Sequence, residues 1–254
     1  MPVAAGSREH FFHFLLGYLL PLVHEQEVRR LRDFQVLDCG PLMSPLLEQV
    51  LQRLGLPFRP VPPSRVVRPV FVEPWDEHWD ILGDVRRTAQ RVAEAIGGLP
   101  CRNGECPHSR HILIRRSSPH PYYMGSDAEI PGYGTSRREL ANLPDISEHL
   151  ASAGIEHAVY EPGAHTLSCQ IRTFARAEKI VGVRGAEWAN LVWSNPVACV
   201  RILVPNPPAF HLEGLVRRLG IRHELVTART AQLSDDARAV ARFFQSSACG
   251  EGPA

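Results

Sequence analysis

The sequence predicts an α/β protein built as two Rossmann-like halves facing each other across a cleft. Three observations predict it. Short apolar runs of strand length alternate with helical periodicities, the pattern of parallel strands joined by helical crossovers. The alternation breaks once, at Gly97-Gly98 and a loop bearing cysteine and histidine, and then restarts. The 254 residues, 44% hydrophobic and 22% charged, suffice for one large domain or two of about 120 residues. The expected organisation is an N-terminal half over residues 1–105 and a C-terminal half over 106–230. A C-terminal helix and tail over 231–254 would pack back on the N-terminal half.

Each element has its own signal. Phe11, Phe14, Leu15, Leu19 and Leu22 recur at helical spacing, so residues 10–31 read as a helix with Ser7 as N-cap. A strand follows at 34–38. Ser44-Pro45 opens, and Gly55 closes, a second helix over 43–54. Strands at 58–61 and 66–72 are separated by Pro62-Pro63, and an aromatic, charged loop at 74–80 leads to a helix over 83–96. In the second half, a strand at 111–115 ends in basic residues. The segment 117–137 has no periodicity and exceeds an ordinary connector, which marks a functional loop. Helices at 146–153, 167–177, 185–193, 211–219 and 234–244 then interleave with strands at 157–160, 180–183, 199–204 and 223–226.

Composition excludes several classes. A net charge of +1 does not supply the basic field of a general nucleic-acid binder. Lys179 is the single lysine among 28 basic residues, so the positive charge is carried by arginine, whose planar fork suits phosphate. The six cysteines do not form a secreted disulfide framework; Cys39, Cys169 and Cys199 lie in or beside apolar runs, as packed thiols do. Cys101, Cys106, His108 and His111 have metal-like composition, but C-x4-C-x-H-x2-H matches no common zinc pattern. We expect thiols or a disulfide there and no metal. Residues 1–8 lack an apolar signal core and 11–23 is too short to span a bilayer, so the expected compartment is the cytoplasm.

The richest stretch is Ile180-Val-Gly-Val-Arg-Gly-Ala-Glu-Trp-Ala-Asn190, a buried strand running through a glycine turn into a helix. Open α/β sheets place ligands at such carboxyl ends, and a helix N-terminus favours an anion. Within Phe174-Ala-Arg-Ala-Glu-Lys-Ile-Val-Gly-Val-Arg-Gly-Ala-Glu-Trp-Ala-Asn-Leu-Val-Trp193, the sequence resembles the signature of glycosyltransferase family 61, F/A-x-A-x-x-I/V-V-G-x-H-G-A-G-L-x-N-x-x-F. Ile114-Arg115-Arg116 resembles its I-S-R-R segment and Arg137-Arg-Glu-Leu-Ala-Asn142 its R-R-x-L-x-N segment. Phe12-His-Phe-Leu-Leu-Gly-Tyr-Leu-Leu-Pro21 resembles its N-x-x-H-F-L-x-E-x-L-P helix. The chain departs from the pattern at Arg184 for histidine, Glu187 for glycine, Gly17 for an acid and His10 for asparagine. Arg201 or Ile202 stands in place of the usual acid of the later strand. The β-rich segment that precedes the helix in the family has no counterpart here.

The resemblance implies the GT-B arrangement and an inverting transfer of a sugar from a nucleotide-diphosphate donor to a glycan or small-molecule acceptor, in polysaccharide biosynthesis. It implies donor binding by Arg115, Arg116, Arg137, Arg138 and Arg184, with the turn residues Gly185, Ala186, Glu187 and Asn190. Inversion needs a base for the acceptor proton, and His13 fits by chemistry and position, with His10 or Glu9 as substitutes. The loop from Trp75 to Trp79 has a sugar-stacking composition. No Asp-x-Asp pair occurs, so transfer is expected to proceed without metal or cofactor. Leu15, Leu19 and Arg29-Arg30-Leu31-Arg32 leave peripheral membrane contact open, as oligomerisation is; no nucleic-acid partner is expected. The alternative is a catalytically silent GT-B-like protein that binds a nucleotide sugar or a partner, a reading suggested by Gly17.

Overall fold

The computed structural model describes residues 9–29, 34–61, 84–101, 106–116, 121, 139–204, 211–227 and 234–247. The chain divides into two units, Met1–Leu99 and Pro100–Ala254. The expected strand at 66–72 and the loop from Trp75 to Trp79 lie outside the described residues.

The first unit opens with a helical stretch, α1, formed by an α-helical turn (Phe11–Phe14), a π-helical turn (Leu15–Leu19) and a further α-helix (Leu20–Arg29). The widened turn has a local cause. Pro21 lacks the N–H that Gly17 carbonyl would accept and its ring crowds that carbonyl, and the register shifts so that Leu20 N–H donates to Leu15 carbonyl. Phe14, Leu15, Leu16, Leu19, Leu20 and Val23 are buried. Leu15 and Leu19 are therefore core residues, not part of a membrane-facing stripe. Parallel strands β1 (Phe34–Leu37) and β2 (Phe58–Val61) flank helix α2 (Gly40–Arg53), and α3 (Val85–Ile96) completes the unit. Tyr18 hydroxyl accepts the Leu37 N–H at 2.7 Å, which fixes α1 against β1.

The second unit contains β3 (His111–Ile114), α4 (Leu143–Ser152), β4 (Ala158–Tyr160), α5 (Leu167–Arg176) and β5 (Lys179–Val183). A 3₁₀ helix (Ala186–Trp193), β6 (Cys199–Val204), α6 (His211–Arg218), β7 (Arg222–Thr227) and α7 (Ala237–Gln245) follow. The strands form one parallel sheet, β4-β3-β5-β6-β7. A mixed α/β protein with parallel sheets is what the alternation predicted. Every residue of β5 and β6 is buried, as expected for strands covered on both faces. Gly154 and Gly220, both at positive φ, end α4 and α6. In each case the following isoleucine donates back to the last helical turn, which directs the chain into the next strand.

Buried strands carry two cations, and both recruit the C-terminal segment. Lys179 ammonium donates to the Phe243, Phe244 and Ser246 carbonyls, capping the end of α7 with charge complementary to the helix dipole. Burial pulls its pKa down from the ordinary lysine value. Arg201 meets Asp235 in a bidentate pair at 2.7 Å for both bonds and reaches Glu224 at 2.5 Å. Burial alone would lower the Arg201 pKa, but the two carboxylates outweigh it and raise it. Asn142 clamps Asp235 through the backbone, accepting its N–H and donating to its carbonyl. The observed α7 buries Val240, Phe243 and Phe244 in the second unit, with Leu113, Leu143 and Leu150. Cys39 and Cys169 are buried thiols, as read from sequence, whereas Cys199 is disulfide-bonded.

The Arg201 and Asp235 side chains are only 7% and 3% exposed, so removing one partner strands a buried charge. We expect Asp235→Ala to cost about 3–5 kcal/mol in urea denaturation, and Arg201→Met/Asp235→Leu to recover most of it. A loss below about 1 kcal/mol in the single variant would mean the pair does not anchor this segment.

Candidate functional site

The sheet order of the second unit determines where a ligand would bind. Numbered within the unit, the order is 2-1-3-4-5, so the chain leaves β3 for one edge and returns on its other side to build β5. In open α/β sheets connections diverge to opposite faces at such a point, and ligands bind at the carboxyl ends of the strands beside it, here β3 and β5.

Both strands end in basic residues. Arg115 N–H donates to Tyr160 carbonyl and Arg184 N–H to Leu203 carbonyl, so each chain stays laddered one residue beyond its strand. The Arg115 guanidinium then pairs with Glu161 at the end of β4, at 2.8–2.9 Å, in an exposed position. Arg116 turns inward instead. Its Nε donates to Glu187 Oε1 at 3.0 Å, and the two side chains are 14% and 10% exposed. Arg184 and Ala186 are half-buried in the turn.

The turn is shaped by what it cannot accommodate. A Cβ on Gly185 would lie 2.4 Å from Glu187 Oε2 and 2.8 Å from Arg116 Cζ, so this glycine makes room for the ion pair. A Cβ on Gly182 would lie 2.9 Å from Ile114 Cβ and 3.3 Å from Trp188 Cζ2. Trp188 is fully buried and its indole N–H donates to Val183 carbonyl at 2.8 Å, folding the 3₁₀ helix back on the strand that feeds it. Asn190 is fully buried too. Its amide donates to Gln170 and to Glu187 carbonyl, and its carbonyl accepts the Trp193 indole N–H, so its hydrogen-bonding capacity is spent on holding the turn.

Other expected site residues fall elsewhere. Arg137 and Arg138 lie outside the described residues. His13, in the first unit, is half-buried, its ring 5.2 Å from His10 and 5.5 Å from Phe12. Glu9 is buried with its carboxylate against Gly40, where a Cβ would meet Glu9 Oε2 at 2.8 Å; it therefore sits at the N-terminus of α2. The cluster read as Cys101, Cys106, His108 and His111 does not stay together. His108 contacts Arg176, and His111 stacks on Phe244 with Nδ1 against Glu156 carbonyl.

The Glycosyltransferase 61 family model matches residues 11–201, from the helix bearing His13 to the strand bearing Arg201. The chain belongs to glycosyltransferase family 61. A comparison with curated proteins gave no significant match. As a family-61 glycosyltransferase, the protein transfers a sugar from a donor to an acceptor. The match includes β3, β5 and the turn that follows β5, so the carboxyl ends of both strands lie within the matched region. Sequence reasoning placed Arg116 and Glu187 there but missed that they pair. The nearest acid–base spacing, Arg184 to Glu187, is local, whereas the observed partners are separated by 71 positions.

Gly185→Ala introduces the Cβ that the pair excludes. The atoms it meets are the far ends of two flexible side chains, so we expect the pair to shift at a loss of no more than about 1 kcal/mol, read as a slightly lower thermal midpoint. An unchanged midpoint would show that the pair relaxes without cost.

Proposed function

We propose that the protein is an inverting, metal-independent transferase of GT-B arrangement that uses a nucleotide-diphosphate sugar and acts in polysaccharide biosynthesis. One observation carries the reading. Arg115, Arg116 and Arg184 end strands that flank a topological switch point, beside the start of the 3₁₀ helix, where Arg115 pairs with Glu161 and Arg116 with Glu187. An anionic diphosphate fits such a place, and arginine binds its oxygens in a bidentate manner.

In this reading Arg115, Arg116 and Arg184, helped by Arg137 and Arg138, take the donor diphosphate, and the turn at Gly185 and Ala186 supplies backbone N–H groups. His13 accepts the proton of the acceptor hydroxyl. The acceptor oxygen then bonds to the anomeric carbon from the face opposite the diphosphate, the bond from that carbon to the diphosphate oxygen breaks, and the electron pair leaves with the nucleoside diphosphate. Arginine stabilises that departing charge, the role a divalent ion fills in other transferases. Glu187 occupies the position that a phosphate oxygen would take and must release Arg116 when a phosphate arrives. Asn190 supports the turn without touching the donor.

The test is binding and turnover together. Thermal-shift titration with nucleoside diphosphates should show Arg116→Ala weakening the best ligand at least about tenfold. Glu187→Gln, which removes the competing charge, should tighten it by roughly 3- to 10-fold. His13→Ala should retain diphosphate affinity while transfer falls by about 10²–10⁴-fold. The silent-binder reading is favoured by the Arg116–Glu187 pair itself, since it leaves Arg116 neutralised. Tight binding with no turnover across donors and acceptors would establish it. Unchanged diphosphate affinity in both Arg116→Ala and Arg184→Ala would remove the donor site from these strand ends.

We place the protein in the cytoplasm, in keeping with the thiols of Cys39, Cys101, Cys106 and Cys169. No helix among the described residues is long and apolar enough to cross a membrane. The Cys199 disulfide argues for an oxidising compartment. Non-reducing mass spectrometry of protein from its native cell should find Cys39, Cys101, Cys106 and Cys169 as thiols; a disulfide among those four overturns the cytoplasmic placement.

A further inference from the structure

We propose that Cys101, Cys106, His165 and Cys169 bind one zinc ion that has a structural role in the second unit. The residues come from two short pairs far apart in sequence, C-x4-C before β3 and H-x3-C at the start of α5. Such spacings, a tight Cys pair and a second pair one helical turn apart, are how structural zinc sites close two loops around an ion. The sequence alone offered a different quartet, and folding redirects two of its members: His108 and His111 leave, and His165 and Cys169 take their place.

The geometry fits a tetrahedral ion. Cys101 Sγ is 3.7 Å from His165 Nδ1, and the Cys101 and Cys169 sulfurs and a His165 ring nitrogen all lie within 4.8 Å of one another. Bonds of about 2.3 Å to sulfur and about 2.0–2.1 Å to nitrogen set tetrahedral ligand atoms roughly 3.4–3.8 Å apart. Cys106, buried beside this trio but outside its 4.8 Å span, would supply the fourth sulfur by turning inward. All four side chains are buried or half-buried, as in a closed site that keeps no position for substrate.

Surrounding residues hold the ligands in place. Thr166 caps α5 by accepting the Cys169 N–H, which fixes the turn from His165 to Cys169. The His165 ring lies 4.9 Å from the ring of Tyr160, and its carbonyl accepts the Gln170 amide. Arg172 donates to Cys106 Sγ at 3.1 Å. Three thiolates and one neutral imidazole leave a zinc site with a net charge of −1, and the Arg172 guanidinium offsets it. The ion would tie the segment entering β3 to the helix that follows β4. That helix also supports the arginine turn, because Gln170 accepts from Asn190. The role is structural, so it stands apart from the metal-independent transfer proposed above and does not depend on it.

The experiment uses the full chain, purified under reducing conditions without added chelator. Elemental analysis should find about one zinc per chain. Cobalt(II) replacing it should give a thiolate-to-cobalt charge-transfer band and the visible bands of a tetrahedral ion. Chelation should lower the thermal midpoint, and zinc should restore it. Cys101→Ser and His165→Ala, at half-buried positions that tolerate change, should each weaken cobalt binding at least about tenfold. Cys39→Ser, in the first unit, should leave it unchanged. Absence of bound metal, equal cobalt affinity in Cys101→Ser and Cys39→Ser, or a disulfide joining any two of Cys101, Cys106 and Cys169 in the reduced preparation would overturn the proposal. Should Cys169→Ser fail to fold, the two half-buried variants and the metal content of the parent protein still decide it.

Discussion

Two cations on fully buried strands govern the architecture of the second unit. A charge inside a sheet covered on both faces is tolerated only when paired and hydrogen-bonded. Lys179 begins β5 and Arg201 lies on β6, in a sheet that offers them no solvent. Both find their partners in the same place, the stretch that carries Asp235 and the end of α7. The two residue types suit their tasks. Lysine presents a compact charge with three donors, matched to converging helix-end carbonyls, and arginine presents a planar fork, matched to one carboxylate. The single lysine of the chain thus stands where a guanidinium would not fit the acceptors.

The same physics recurs at the ligand-binding edge of the sheet. Glu187 stands where the family pattern has glycine, and it enters a turn whose neighbour, Gly185, has no Cβ to oppose it. Its carboxylate lies in the first turn of the 3₁₀ helix, favourable for the exposed N–H groups there, and against Arg116. A carboxylate at that spot answers both the helix start and the guanidinium. Departure from the family pattern therefore places an internal anion at the carboxyl ends of β3 and β5.

Most elements were legible because their signal is local. Helical spacing marked α1, apolar runs marked β5 and β6, and Gly55 marked the end of α2. The basic residues at the ends of β3 and β5 were legible for the same reason. Partners distant in sequence were not. Arg116 finds Glu187, Arg201 finds Asp235, and Cys101 finds His165 across separations of 71, 34 and 64 residues. Periodicity says nothing about which loops meet above a sheet. The π-helical turn was missed for another reason: Pro21 signals a break, and the chain absorbs it by widening one turn without ending the helix.

Asn190 shows how a motif residue can order a turn. Its amide bridges the 3₁₀ helix to α5 through Gln170 and holds the Trp193 indole. An amide can do this because it donates and accepts at once; a carboxylate of the same size could not donate to Gln170 and Glu187. The turn that carries Arg184 is thereby braced from beneath by α5 and from behind by Trp188 on Val183. With the backbone held at both points, the charge of the turn is set by its side chains, chiefly by the Glu187 carboxylate against Arg116.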